Sequence, residues 1–474
     1  MATISLLLWN DAMKLDQCPT LQSLAPKLNR VFDLAGRKIR DIEQTWNPAS
    51  GTPVFTVEGR YTTRGWTEWT QGFQYGMAIL HFDATGDEHS LHLGRCATLD
   101  RMAPHVSHIG VHDHGFNNVS TYGNLRRLAR EERFDCSEGE MLLYDMALKI
   151  SGAVQAARWT ALPDHPAGGF IHSFNGPHSL FSDTIRSCRI LNIAWQLGHV
   201  LMAENDKPVN LLHRSIQHGL VTSRHNVYYG DGRDFYDTPA EAGRVVHESI
   251  FNITDGAYRC PSTQQGYSPF STWTRGLAWI LCGYAEQLEF LATLDDTATS
   301  GLIDRADLIG IYQRAALATA EWYIRHSFTD GMVYWDAGAP GIPRNVDYGA
   351  GVADPYNDHE PIDSSAAAIA AQGFWRLGRF LGNKRYTDAA LRIADTLFAE
   401  PYLSTRPDHQ GLILHSIYHR PRGWDHIPAG RKIPCGESSL WGDYHALELA
   451  LLLQREAQGK PYITFFDSPV HTPG

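Results

Sequence analysis

The chain has no C-x-x-C pair. Its seven cysteines (Cys18, Cys96, Cys136, Cys188, Cys260, Cys282 and Cys435) are scattered and odd in number. Neither a disulfide framework nor a zinc knuckle is implied, and reduced thiols are the simplest reading. No run of Lys and Arg exceeds two residues, and the formal net charge is −11. That balance argues against nucleic acid or an anionic membrane as a partner. No stretch reaches the ~18 apolar residues that a membrane-spanning helix needs. The start, Met1 to Asp11, has a short apolar run but neither a basic n-region nor an A-x-A-like cleavage site, so a soluble, cytoplasmic protein is expected. Also missing are the G-x-S-x-G elbow, H-E-x-x-H, the Walker A loop and a G-x-G-x-x-G opening a helix after a strand. Their absence disfavours serine-esterase, zincin, P-loop and dinucleotide chemistry, and no cofactor is expected.

What is present is a long, aromatic-rich chain. Its 474 residues are 43 % hydrophobic and include 13 Trp, enough to bury a large core. Helical periodicity dominates. Leu308, Ile311, Ala315, Ala318 and Trp322 form one apolar stripe, and Tyr386, Ala390, Ile393 and Leu397 form another. The segments 364–381 and 276–294 are apolar around most of their circumference, as helices packed on several sides must be. Period-two alternation is rare; Gly411 to His419 and Gly331 to Trp335 are the best strand candidates. Polar punctuation recurs at Thr85-Gly86-Asp87, Leu197-Gly198-His199, Leu294-Asp295-Asp296 and Leu381-Gly382-Asn383. The interval is roughly one hundred residues, which suggests two helical hairpins per interval around a ring. No Pro/Gly/Ser-rich linker divides the chain. The expected architecture is all-α: one domain over 1–474, an (α/α)6 toroid of about twelve helices with its site among long loops at one mouth.

Five segments carry candidate chemistry. Trp273-Thr-Arg275-Gly-Leu-Ala-Trp279 sets two flat aromatics around one guanidinium, a pattern suited to stacking on a pyranose and holding an acidic group. Its bland reading is a pair of core tryptophans and an ordinary cation. His112-Asp113-His114 places an acid between two imidazoles, and Asp183 stands at the front of an amphipathic helix. Either Asp could be a plain helix cap. To act as an acid near neutral pH, Asp183 would need burial or a second carboxylate to raise its pKa, and Asp113 is the obvious partner. His247 and Gln265 lie in the irregular segment before Trp273, and Trp69 in Glu68-Trp-Thr-Gln-Gly-Phe73. His112 and His114 could bind a metal, but no cluster completes such a site, and no metal is expected.

In this order, the segments Trp69-Thr-Gln-Gly-Phe, Thr85-Gly-Asp, His112-Asp-His-Gly-Phe, Phe181-Ser-Asp183, His247, Gln265-Gly-Tyr, Trp273-Thr-Arg-Gly-Leu-Ala-Trp279, Asp363-Ser-Ser-Ala-Ala-Ala-Ile-Ala-Ala and Leu440-Trp-Gly-Asp-Tyr resemble the unsaturated glucuronyl hydrolases of glycoside hydrolase family 88. The resemblance covers roughly residues 55 to 455 and implies an (α/α)6 barrel. It implies Asp183 as catalytic acid, Asp113 as second carboxylate, and His247 and Gln265 assisting at the reacting carbon. Trp69, Trp273, Arg275, Trp279 and His112 would contact the sugar. The implied reaction protonates C4 of a C4=C5-unsaturated terminal uronate, adds water at C5 and releases the rest of an acidic oligosaccharide. A conventional glucuronidase, an unsaturated rhamnogalacturonyl hydrolase, an epimerase using paired His, and a non-catalytic sugar-binding protein are the rival readings. The chain departs from the family pattern at His114, where an aliphatic residue is common, at Leu277, where Gln is common, and at Arg186-Ser187, where Met-Asn is common.

Overall fold

The structure is a computed structural model that describes residues 12–64, 68–342 and 350–467. The reading of Met1 to Asp11 lies outside them. Twelve helical segments alternate between two layers: α1 (Leu21–Thr45), α2 (Gln71–Thr85), α3 (Glu88–Arg101), α4 (114–130, with a π turn at Val119–Gly123), α5 (Glu138–Ala157), α6 (184–196), α7 (Leu211–Asn226), α8 (Thr274–Leu291), α9 (Arg305–Arg325), α10 (Ser364–Leu381), α11 (Lys384–Leu397) and α12 (Leu440–Ala457). The even-numbered segments pack on one another in sequence, and α12 closes onto α2, forming an inner ring. The odd-numbered helices lie outside it. Composition explains the layers: α8, α10 and α12 are buried on nearly every side, whereas α3 is buried only on one stripe. The expected stripes on α9 and α11 are largely buried, with Leu308, Ala315 and Trp322, and then Tyr386, Ala390, Ile393 and Leu397, inside. This is the (α/α)6 barrel.

Two expectations change. The four punctuation points are all inner-to-outer turns, but only the first interval holds two hairpins; each later one holds a single hairpin and a long loop. The segments 411–419 and 331–335 are not strands, and make only isolated bridges such as Leu403 with Ile413 and Tyr334 with Ile362. The first of them gives five of its backbone donors to carboxylates instead. Leu412 and Ile413 donate to Asp443, Ile417 to Asp363, and Tyr418 and His419 to Asp425. The described strands are short: β1 (Phe55–Val57), β2 (Arg60–Thr62), β3 (Trp159–Ala161), β4 (Gly169–Ile171), β5 (Ser179–Phe181), β6 (Val200–Met202), β7 (Pro208–Asn210), β8 (Glu248–Phe251) and β9 (Tyr258–Ser262). The antiparallel sheet β5-β8-β9 lies within loops at the mouth and carries Phe181 and Glu248 directly beside Asp183 and His247. No helix among the described residues is long and apolar enough to cross a membrane.

Candidate active site

All six inner segments present their N-terminal ends to one mouth. Trp69 precedes α2, Asp113 precedes α4, Asp183 precedes α6 and Arg275 opens α8. Asp363 caps α10 by accepting from the backbone of Ser365 and Ala366, and Trp441 opens α12. Helix N-termini carry partial positive charge, so this mouth favours an anionic ligand despite the acidic chain. The cleft there is open to solvent at its mouth. It is lined by Trp69, His112, Asp113, Asp183, Gln265, Trp273, Arg275 and Trp279, so eight of the nine residues singled out from the sequence converge. A roomier, solvent-open pocket lies between α7, α9 and the loop after α7. It contains none of those residues.

The ninth residue, His247, sits just behind the cleft, its ring 4.7 Å from that of Trp273. Its Nδ1 accepts from the backbone N–H of Gln264 at 3.0 Å and of Gln265 at 3.3 Å, which fixes the proton on Nε2. Burial lowers its pKa to about 4, so it is a neutral donor near neutral pH, and its buried Nε2 has no protein partner.

Asp113 and Asp183 occupy helix-start positions, yet neither side chain makes a capping bond. The cap reading therefore fails for both. Between them stands His112, 1 % exposed, whose Nε2 lies 3.1 Å from Asp183 Oδ1 and whose Nδ1 lies 3.9 Å from Asp113 Oδ2. Local latches hold this geometry. The Ser187 hydroxyl donates to the His112 carbonyl at 2.6 Å, the Gly115 N–H donates to Ser187 Oγ at 3.0 Å, and Gln155 donates to the same carbonyl at 2.9 Å. Gly115 is required there, because a Cβ would stand 2.0 Å from the Ser187 carbonyl oxygen.

The electrostatics reverse one expectation. Burial pushes Asp183 up, but the charge and hydrogen bond of His112, with His247 and Arg275, outweigh it and leave the carboxyl below its ordinary range. Asp113 is the carboxyl held above its ordinary range, by burial and by the Asp183 charge against the opposing pull of His112. Burial disfavours the His112 cation, but the two flanking carboxylates outweigh burial and raise its pKa. The imidazole between the acids, which sequence spacing does not reveal, decides the order.

Arg275 also differs from expectation. It is 2 % exposed, and its Nη1 donates to Asp363 Oδ2 at 2.9 Å and to the Ile417 carbonyl. Its Nη2 donates to Gln265 Oε1 at 3.0 Å and to the Tyr418 carbonyl at 2.8 Å. Four of its five N–H donors are thus committed inside the protein, and the group is a bracket rather than an open fork. Trp273 and Trp279 are 4 % and 3 % exposed, and Arg275 covers one face of Trp273, so both are largely core anchors that show an edge to the cleft. The half-buried aromatics at the cleft are Trp69, Phe174 and Trp424. Trp424 was not anticipated, nor were Phe174, Tyr418 and His419; the long loops that carry them were the only signal.

The departures from the family pattern lie beneath the cleft. His114 is neutral, its pKa lowered to about 4 by burial; it donates to the His108 carbonyl and bonds Ser151. It therefore forms no ligand pair with His112, and no metal-binding cluster of His, Cys, Asp or Glu occurs among the described residues. Leu277 is core. Arg186 is fully buried and ion-paired with Glu286 and Glu448.

No family model matches the sequence. An unsaturated glucuronyl hydrolase of Formosa agariphila is 27 % identical over 242 residues, half of this chain and 48 % of that protein, so the chain spans about half the length of that relative. One from Bacillus sp. strain GL1 is 25 % identical over 417 residues, 85 % of this chain and 90 % of that protein. A solved unsaturated glucuronyl hydrolase specific for heparin superposes with a TM-score of 0.68 at 19 % identity, covering 93 % of this chain and all of that one. In alignment the chain is thus similar to proteins named unsaturated glucuronyl hydrolase, and it shares the fold of their solved structures.

Proposed function

We propose that this protein is a glycoside hydrolase that releases a 4,5-unsaturated uronate from the non-reducing end of lyase-generated acidic oligosaccharides. The observation that carries the reading is the Asp113–His112–Asp183 unit inside a cleft ringed by helix N-termini. In this reading Asp183 gives a proton to C4, and the π pair of C4=C5 becomes the C4–H bond. Positive charge develops at C5 and the ring oxygen. Water adds at C5 and returns its proton to the Asp183 carboxylate. The hemiketal formed then opens and expels the remainder of the oligosaccharide from C1. No covalent sugar–enzyme bond is needed, so the separation rules for retaining and inverting carboxylates do not apply. Asp113 stabilises the proton inventory, His247 offers its Nε2–H to the sugar, and Gln265, braced by Arg275, orients a hydroxyl or the water. The helix N-termini receive the uronate carboxylate, and Trp69 and Trp424 flank the sugars. A cytoplasmic site of action belongs to the same proposal, supported by seven unpaired cysteines.

The test is incubation of full-length protein with a panel of lyase-generated disaccharides while following absorbance of the conjugated double bond. Bleaching is the expected result. Cleavage of only saturated uronosides would make it a conventional glucuronidase, and binding without bleaching would make it a sugar-binding protein.

A further inference from the structure

We propose that His112 is the proton store of the site, a positioning residue that loads Asp183 through the Nε2–Oδ1 contact rather than a sugar ligand. This rests on the reading of the preceding section and deepens it. Three observations carry it. His112 is 1 % exposed and its Nε2 is 3.1 Å from Asp183, so its polar edge is spent on the acid. Its faces are closed by Phe174, stacked at 5.9 Å, and Phe181, edge-on at 5.6 Å. Its Nδ1 is buried without a hydrogen-bond partner and has Asp113 Oδ2 at 3.9 Å. An imidazole placed between two buried acids is held for its proton.

The groups that face it are few. Asp113 and Asp183 favour its cation, and Arg158 at the end of α5 opposes it. His172 just after β4, His218 on α7 and His247 just before β8 are each pushed down by burial to a pKa of about 4, 3 and 4, so they remain neutral near pH 7. The surroundings therefore favour a charged His112 beside an ionised Asp183 before the ligand arrives. An anionic uronate whose charge lies nearer Asp183 than His112 favours moving the proton onto the acid. The step balances. The Nε2 proton passes to Asp183 and then to C4, leaving neutral His112, an Asp183 carboxylate and positive character at C5. When water adds at C5, its released proton returns to Asp183 and on to His112. Net, one water is consumed.

The experiment has two arms on the full chain. In the first, kcat/KM for the unsaturated disaccharide is followed against pH for wild type and His112→Gln. The variant should lose about 10²–10⁴-fold at slightly alkaline pH, its alkaline limb should move to lower pH, and the gap should narrow as acid loads Asp183 from solvent. A pH-independent rise in KM with the limb unmoved would make His112 a sugar ligand and overturn the proposal. The second arm does not depend on His112→Gln folding. In ¹⁵N-histidine spectra of wild type, one imidazolium should persist above about pH 7. In Asp183→Asn the same signal should titrate at lower pH. No imidazolium sensitive to Asp183→Asn overturns the proposal. If wild type bleaches no unsaturated disaccharide, the uronate reading falls, while the spectra still decide whether His112 stores a proton.

Discussion

Asp113 and Asp183 are chemically identical side chains that flank one imidazole and acquire opposite acidities. Asp183→Asn keeps the shape and removes the proposed donor, so turnover in the bleaching assay should fall by ~10²–10⁴-fold with the fold retained. Activity within tenfold of wild type would reject the assignment. Asp113→Asn acts differently, because it takes away a negative charge that helps hold the His112 proton. The alkaline limb of kcat/KM should then move to lower pH, and a limb that stays or rises would make Asp113 a direct sugar ligand. Arg275 tests a third kind of contribution. Arg275→Ala strands Asp363 as an uncompensated buried charge and frees two carbonyls, so a loss of about 3–5 kcal/mol is expected in urea unfolding. Arg275→Lys keeps the charge but cannot bridge Asp363, Gln265 and two carbonyls at once, and should fall between.

At the scale of elements, the site depends on how the segment 112–115 meets α6. Gly115 lets the two backbones touch, and Ser187 ties them. Gly115→Ala must push Asp113 and His112 away from Asp183, and a displacement of this order should reduce kcat by ~10²-fold. Thermal melting measured alongside separates this from unfolding; a variant that melts early and keeps its kcat while folded would place the contact in stability alone. The strap 411–419 is held in the same manner. Asp425 accepts from the N–H groups of Tyr418 at 2.5 Å and His419 at 3.0 Å, and burial raises its pKa to about 6. Because that value exceeds the ordinary one near 3.9, the folded state holds the proton more tightly, and this group's contribution to stability declines as pH rises from about 4 to about 6. Asp425→Asn should abolish that part of the pH dependence, read from unfolding midpoints across the window.

Across the whole molecule, the ring closes where α2, α4 and α12 meet, and the closure is ionic as well as apolar. Asp83 on α2 is fully buried and accepts from Arg127 at 2.7 Å, Arg133 at 2.9 Å and Arg455 at 2.6 Å. Burial alone would raise its pKa, but Arg127 and Arg455 outweigh it and leave the carboxyl below its ordinary range. A folded value below the unfolded one means the stabilisation is complete above about pH 4 and is lost as pH falls through the folded value. Asp83→Asn should cost about 3 kcal/mol or less at neutral pH, because it removes the counter-charge shared by three guanidinium groups and leaves Glu131 alone to pair with Arg127 and Arg455, and the difference from wild type should shrink in acid. A second barrel-spanning cluster, with Arg186 paired to Glu286 and Glu448, occupies the interior below the cleft. The family departure at Arg186 therefore changes how α6, α8 and α12 are locked together, not what lines the cleft.

Much of this was legible along the chain. Apolar periodicity marked the helices, and near-continuous apolar runs separated α8 and α10 from amphipathic neighbours such as α9 and α11, because a helix packed on all sides cannot carry a polar face. Motif order pointed to the family, and eight of nine candidate residues line one cleft. What the chain could not determine was proximity across it. His112 and Asp183 are 71 residues apart, and only the ring brings the imidazole to 3.1 Å from the acid. The acidity order of two identical carboxyls follows from that placement, since desolvation and charge act through distance in space. Arg275 reads as a free cation until Asp363, Ile417 and Tyr418 converge on it from separations of 88, 142 and 143 residues. The strap at 411–419 alternates like a strand, yet the carboxylates of Asp363, Asp425 and Asp443 take five of its backbone donors. Local sequence decided which segments become helices; tertiary structure decided which polar groups satisfy one another, and with that the chemistry of the site.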